Sequence, residues 1–263
     1  MKKWIIRGLL LLFAVTFLVS GGLLLNYYLQ DAKREADFDE LSKMVDSVRL
    51  EPQFDVKQPE YEQVTDAQTG EPRQILREYA QVYQLNSDMV GWIAIPGTKV
   101  DYPVMYCPEK KDYYLKRDFY KKSSAAGSIY VREECDVFAP SDNITIYGHR
   151  INSGAMFGDL MEYKAQSFWE DHRYIYFDTL YQRNAYEIFA VFKISAGANN
   201  GFQYHTFVDM TEEAFSEFVT QCKTRSLYDT GITPQYGEHL ITLSTCEKGS
   251  SNSRFVVVAK EIS

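Results

Sequence analysis

Residues 240–259 read Leu240-Ile241-Thr242-Leu243-Ser244-Thr245-Cys246, then Glu247-Lys248-Gly249-Ser250-Ser251-Asn252-Ser253, then Arg254-Phe255-Val256-Val257-Val258-Ala259. Two apolar, β-branched runs flank seven small or polar residues, the pattern of two strands joined by a loop. If the strands pair as a hairpin, Cys246 and Arg254 face each other across its mouth, with Cβ atoms about 5 Å apart. A thiol beside a permanent cation is biased toward thiolate, which is the nucleophilic form. A cysteine where a strand meets a glycine-containing loop is also placed for access, whereas structural cysteines tend to lie mid-strand.

Working outward, similar short runs recur upstream. Val90–Ile95 and Lys99–Val104 flank Pro96-Gly97-Thr98, a hairpin signal. Ser128–Val131, Asn143–Tyr147, Tyr174–Asp178, Ala185–Ile194, His239–Cys246 and Phe255–Lys260 complete eight predicted strands. A helical patch is expected around Met156–His172 and a helix over Thr211–Arg225. In the latter Thr211 can cap, Glu212 and Glu213 occupy the first turn, and Phe215, Phe218, Val219 and Cys222 form a stripe. Eight short strands in a mainly β region suit a closed or nearly closed antiparallel barrel, because closure removes exposed edges. Ile75, Leu76, Tyr79, Val82 and Tyr83 mark one more short helix that covers a sheet edge or barrel end.

A cysteine nucleophile needs a proton partner, and the chain has four histidines. His239 is seven residues before Cys246 on the same strand, about 23 Å away, and cannot reach. His172 lies in Glu170-Asp171-His172-Arg173, read as a solvated helix end, and His205 lies in a loop with no strong signal. His149 ends Asn143-Ile144-Thr145-Ile146-Tyr147-Gly148-His149, at a strand terminus, and is the candidate partner. Tyr147 and Ser244 precede His149 and Cys246 by two residues, which on a strand places each on its neighbour's face.

At the other end of the chain, Gly8–Leu25 is 18 residues without a charged side chain. As a helix it is about 27 Å long, close to the ~30 Å hydrocarbon core of a bilayer. Trp4 and Tyr27-Tyr28 flank it, and Lys2, Lys3 and Arg7 precede it, which predicts a cytoplasmic N-terminus with everything after Tyr28 outside. Leu18-Val19-Ser20-Gly21-Gly22 offers the rival reading of a cleaved signal peptide. Continuation of the apolar run through Leu23-Leu24-Leu25 favours an uncleaved anchor. Residues 29–73 read as a juxtamembrane helix, with Phe38, Leu41, Met44, Val45 and Val48 at helical spacing, followed by a linker over Glu51–Pro72. Residues 74–263 form the expected outer domain.

Overall composition is that of a globular chain, with 45% hydrophobic and 24% charged residues. The net charge is −8, and without residues 1–28 the balance is 25 basic to 36 acidic residues, or −11. Such a surface excludes nucleic acid as the main partner, since phosphate binding needs a basic footprint. Cys107, Cys135, Cys222 and Cys246 face an oxidising compartment, so two disulfides in any of three pairings are open. The domain is also large enough to fold without them. There is no CxxC or HExxH, and no cofactor or metal is expected.

Tyr147-Gly148-His149 followed by Ser153-Gly154-Ala155-Met156-Phe157, then Thr242-Leu243-Ser244-Thr245-Cys246 and Arg254, together resemble the sortases, membrane-anchored cysteine transpeptidases of Gram-positive bacteria. Val90-Gly91-Trp92-Ile93 with Asp101-Tyr102-Pro103-Val104, Tyr113-Tyr114-Leu115 with Asp118-Phe119, and the helix over Thr211–Arg225 look like class B sortases. The resemblance covers roughly Arg77 to Ile262 and the anchor. It implies a closed eight-stranded sortase-type β-barrel with inserted and N-terminal helices. It also implies Cys246 as nucleophile, His149 as acid and base, and Arg254 as oxyanion or substrate-backbone donor. Tyr147, Ser244, Thr245 and Leu115 are expected to line the substrate groove, and the backbone N–H of Glu247 to be a second oxyanion donor. The implied substrates are a surface protein's sorting signal, of Asn-Pro-x-Thr type or related, and an amine of a peptidoglycan precursor. A hydrolytic cysteine protease and a non-enzymatic cell-surface binding protein are the alternative readings.

Overall fold

In the computed structural model the β-branched runs form strands and the apolar N-terminal block forms one helix. The structure describes residues 2–48, 59–66, 69–151, 153–195, 202–246 and 253–262. It divides into two compact units, residues 1–43 and 44–263. The first is carried by α1 (Lys2–Asp46), which contains an 18-residue window of mean hydropathy 2.4. This helix is long and apolar enough to cross a membrane.

The second unit opens with β1 (Tyr61–Thr65) and β2 (Pro72–Leu76), an antiparallel hairpin. Part of the predicted linker is therefore ordered sheet. Gly70 takes the turn with φ +73°, and Asp66 accepts bonds from Arg73 at 2.7 Å and the Tyr83 hydroxyl at 3.1 Å. These polar anchors carry no hydrophobic periodicity, which is why the stretch reads as linker. Next come α2 (Arg77–Leu85), β3 (Met89–Ala94), β4 (Asp101–Met105), β5 (Ile129–Val131) and β6 (Asn143–Tyr147). They are followed by α3 (Gln166–Asp171), β7 (Tyr174–Thr179), β8 (Ala185–Ser195), α4 (Glu212–Arg225), β9 (Leu240–Cys246) and β10 (Ser253–Ile262).

β3 to β10 close into an eight-stranded barrel in the order β10-β8-β7-β3-β4-β5-β6-β9. Closure agrees with the expectation, but the barrel is mixed, since β4 pairs β5 and β6 pairs β9 in parallel. A parallel pair needs a long crossover. Residues 106–128 supply the first and residues 148–239 the second. Sequence pattern marks strands but not their neighbours, hence the antiparallel expectation.

The apolar runs lack alternation because both faces of several strands are buried. On β10, Val256 and Val258 pack with Phe215, Phe218, Val219 and Cys222 of α4, while Phe255 and Val257 occupy the opposite face, also fully buried. Thr211 caps α4 by accepting a bond from the Ala214 amide at 3.3 Å, as expected. Within Met156–His172 the helical patch resolves into a 3₁₀ helix at Asp159–Lys164 and α3. His172 is not simply solvated, since its ring stacks on Phe168 with centroids 4.1 Å apart.

β3 and β7 meet at Gly91, where an added Cβ would lie 2.1 Å from the Asp178 carbonyl oxygen. Gly91→Ala is expected to destabilise the barrel by about 1–3 kcal/mol through overpacking. The measurement is the urea midpoint of the detergent-solubilised chain, followed by the fluorescence of Trp92 on the same strand.

Candidate active site

The end of the barrel where β6 and β9 stop is built by register. Cys246 is the cross-strand partner of Arg254 in the β9–β10 pair, as the hairpin reading requires. Tyr147 of β6 pairs with Ser244 of β9, and His149 and Cys246 each follow two residues later. Residues separated by about a hundred positions are thus delivered to one rim.

There, His149, Arg254, Tyr147, Leu115, Ser244 and Thr245 line a single groove of about 270 Å³. His149 and Arg254 are half-buried, so both can meet solvent and ligand. The Arg254 Nη1 donates to the Ser253 carbonyl at 3.3 Å. Cys246 is placed here by its backbone register. Glu247 lies outside the described residues.

The imidazole of His149 is oriented by main chain. Its Nε2 is 2.7 Å from the carbonyl oxygen of Leu115, in the 3₁₀ helix Tyr113–Lys116. A carbonyl oxygen only accepts, so Nε2 carries the hydrogen and Nδ1 is the other nitrogen. Leu115, expected to line the substrate groove, therefore contributes its backbone carbonyl to the imidazole as well as lining the groove.

The remaining predicted groove residues divide by role. The Tyr147 ring packs on Tyr130 at 5.6 Å, and burial pushes its phenol well above the ordinary value. Ser244 is almost fully buried, and its Oγ is 2.8 Å from the Tyr204 hydroxyl. Thr245 Oγ1 is buried and has no hydrogen-bond partner among the described residues.

Sequence reasoning missed His205. It sits in a short 3₁₀ turn, Tyr204–Thr206, and lines the groove with His149 and Arg254. The turn is clamped to the barrel by the Tyr204–Ser244 bond and by the Arg132 guanidinium, which donates to the His205 carbonyl. Asn143 Nδ2 holds the carbonyl two residues on, that of Phe207, at 2.9 Å. No periodicity or motif marks this loop; only the pairing of a histidine with an adjacent tyrosine was available as a signal. Burial lowers the His205 pKa from its ordinary value of 6.5, with Arg132, Lys111 and Arg254 adding to the effect against Glu134.

Cys107, Cys135 and Cys222 are free thiols. Burial raises all three pKa values, so these are poor nucleophiles. Among the described residues no group of three or more His, Cys, Asp or Glu side chains could hold a metal ion.

A sortase-domain family model matches residues 93–262. Sortase B of Listeria monocytogenes is 31% identical over 194 residues, covering 73% of this chain and 75% of that protein. Sortase B of Staphylococcus aureus is 27% identical over 254 residues, covering 96% of this chain and 94% of that protein. The structure of a Staphylococcus aureus sortase B–substrate complex superposes with a TM-score of 0.74 at 25% identity, covering 89% of this chain and 98% of that one.

The lowered pKa of His205 has a stability consequence. The unfolded chain, with its histidine near 6.5, binds more protons than the folded one between 6.5 and the lower folded value. Stability therefore rises with pH across that window and falls as the pH drops through it. His205→Gln, which cannot protonate, is expected to flatten that part of the profile, as read by urea midpoints between about pH 5 and 7.

Proposed function

The chain belongs to the sortase family, and from that premise we propose that Cys246, His149 and Arg254 are its catalytic residues. It is a cysteine transpeptidase of surface-protein sorting. The observation that supports the assignment of residues is the convergence of His149 and Arg254 on one groove at the rim where Cys246 pairs with Arg254.

In the first half-reaction the Cys246 thiolate attacks the carbonyl carbon of the threonine in a sorting signal of Asn-Pro-x-Thr type or related. The C–S bond forms, the peptide C–N bond breaks, and His149 gives a proton to the leaving amine. In the second, an amine of a peptidoglycan precursor attacks the thioester. It passes its proton to His149, the C–S bond breaks, and the thiolate of Cys246 is released, so that sulfur and imidazole return to their starting protonation states. Arg254 donates to the developing oxyanion or the substrate backbone, and its planar fork suits that task better than a lysine. No carboxylate partner to His149 is invoked, and its orientation comes from the Leu115 carbonyl. Tyr147, Ser244, Thr245 and Leu115 form the groove that receives the signal, with the backbone N–H of Glu247 as second oxyanion donor. Residues 8–25 of α1 anchor the chain in the cell membrane, with the N-terminus cytoplasmic. Residues 29–73 form the juxtamembrane segment, and the catalytic domain of residues 74–263 lies outside.

Cys246→Ala is expected to abolish the thioester adduct with a motif peptide in mass spectra; retained turnover refutes the nucleophile. Arg254→Lys keeps the charge but loses the fork, and is expected to lower kcat/KM at least about tenfold with under about 1 kcal/mol change in stability. A panel of motif peptides incubated with and without a nucleophilic amine fixes the reaction type. Amine-dependent product identifies a transferase, and amine-indifferent cleavage a protease.

A further inference from the structure

The 3₁₀ helix that presents the Leu115 carbonyl to His149 is one turn long, and such turns have poor internal hydrogen-bond geometry. Its place is set from outside. Tyr114, the residue before Leu115, is 1% exposed and points away from the groove into a polar network. Its hydroxyl accepts from Asn86 Nδ2 at 2.9 Å and donates to Asp88 Oδ2 at 2.8 Å. Asn86 Nδ2 also donates to the Phe119 carbonyl at 2.6 Å, and Asn86 Oδ1 accepts from the Asp88 amide at 3.0 Å. Lys121 Nζ lies 3.0 Å from Asp88 Oδ2. Asn86 and Asp88 belong to the connection between α2 and β3, so the network ties the turn to the barrel wall.

On the other side, Gly127 packs directly under the turn with φ +59°. A Cβ there would lie 2.5 Å from the Leu115 oxygen, and the Ser128 amide donates to the Tyr114 carbonyl at 3.1 Å. The Leu115 carbonyl is thus held between a phenol-centred network and a close backbone approach.

We propose that Tyr114, with Asn86 and Asp88, is a positioning residue for His149: by fixing the Leu115 carbonyl it selects the Nε2–H tautomer and leaves Nδ1 for proton transfer in the groove. The inference rests on the assignment of His149 as acid and base. A fully satisfied buried network is rigid, and a backbone carbonyl held by it can do for an imidazole what a carboxylate does in other cysteine and serine enzymes. Burial raises the Tyr114 phenol far above its ordinary value, which keeps it a donor throughout the working pH range.

The test uses the full chain, labelled with 15N-histidine, in detergent micelles. Tyr114→Phe keeps the ring and its edge contact with Tyr113 while removing the hydroxyl. The expected result is a loss of the Nε2–H population in the ring 15N shifts of His149, with kcat down about tenfold to a hundredfold and KM within about twofold. Asp88→Ala, which removes the acceptor from outside the turn, is expected to give the same two changes. Tyr79→Phe is the control. It breaks a comparable buried bond, Tyr79 OH to Asp178 Oδ2 at 2.6 Å, and its hydroxyl is not part of this network. It should lower stability with the tautomer and kcat unchanged. A wild-type tautomer and kcat in Tyr114→Phe overturn the positioning role, as do equal changes in Tyr79→Phe. Loss of His149 from the chemistry itself is seen separately, as wild-type turnover that survives His149→Ala.

Discussion

The parallel pairing of β6 with β9 is the constraint on which the site depends. It brings the His149 end of one strand level with the Cys246 end of another. Its register is pinned at the opposite end by Asn143, which is fully buried. Asn143 Oδ1 accepts from the Thr242 hydroxyl at 2.8 Å, and its Nδ2 donates to the Phe207 carbonyl at 2.9 Å. A slip of one residue would leave these groups buried without partners and turn every side chain to the other face. The register that satisfies the core is therefore the register that assembles the groove.

The same asparagine links the strand pair to the loop that sequence reading passed over. By holding the Phe207 carbonyl, and with Ser244 and Arg132 holding Tyr204 and His205, the barrel fixes a second imidazole in the groove. Lys111, Arg132 and Arg254 line this groove against Asp112 and Glu133, giving it a net positive lining in a chain of net charge −8. Burial together with this cationic lining opposes protonation of His205.

The orientation of His149 shows the same economy of means. A carboxylate partner would bring a formal negative charge to the imidazole. A main-chain carbonyl orients the ring with a dipole instead, and its position is inherited from the Tyr114 network and the close approach of Gly127. Groups remote from the groove are thereby coupled to the imidazole through one short turn.

Much of this was legible in the chain of residues. The strand runs, the helix capped by Thr211, the apolar N-terminal block and the Cys246–Arg254 hairpin follow from local periodicity and turn chemistry, which act over a few residues. What local pattern could not carry was strand adjacency. The two parallel pairs, the β1–β2 hairpin held by Asp66 and the entry of His205 into the groove depend on contacts between distant residues. The role of the Leu115 carbonyl was equally invisible, because every residue has a carbonyl and only the fold decides which one meets the imidazole. Residue order alone sets which chemical groups exist and which local elements carry them. Which of those groups meet is set by packing, because burial and hydrogen-bond satisfaction are properties of packed neighbours, not of residue order.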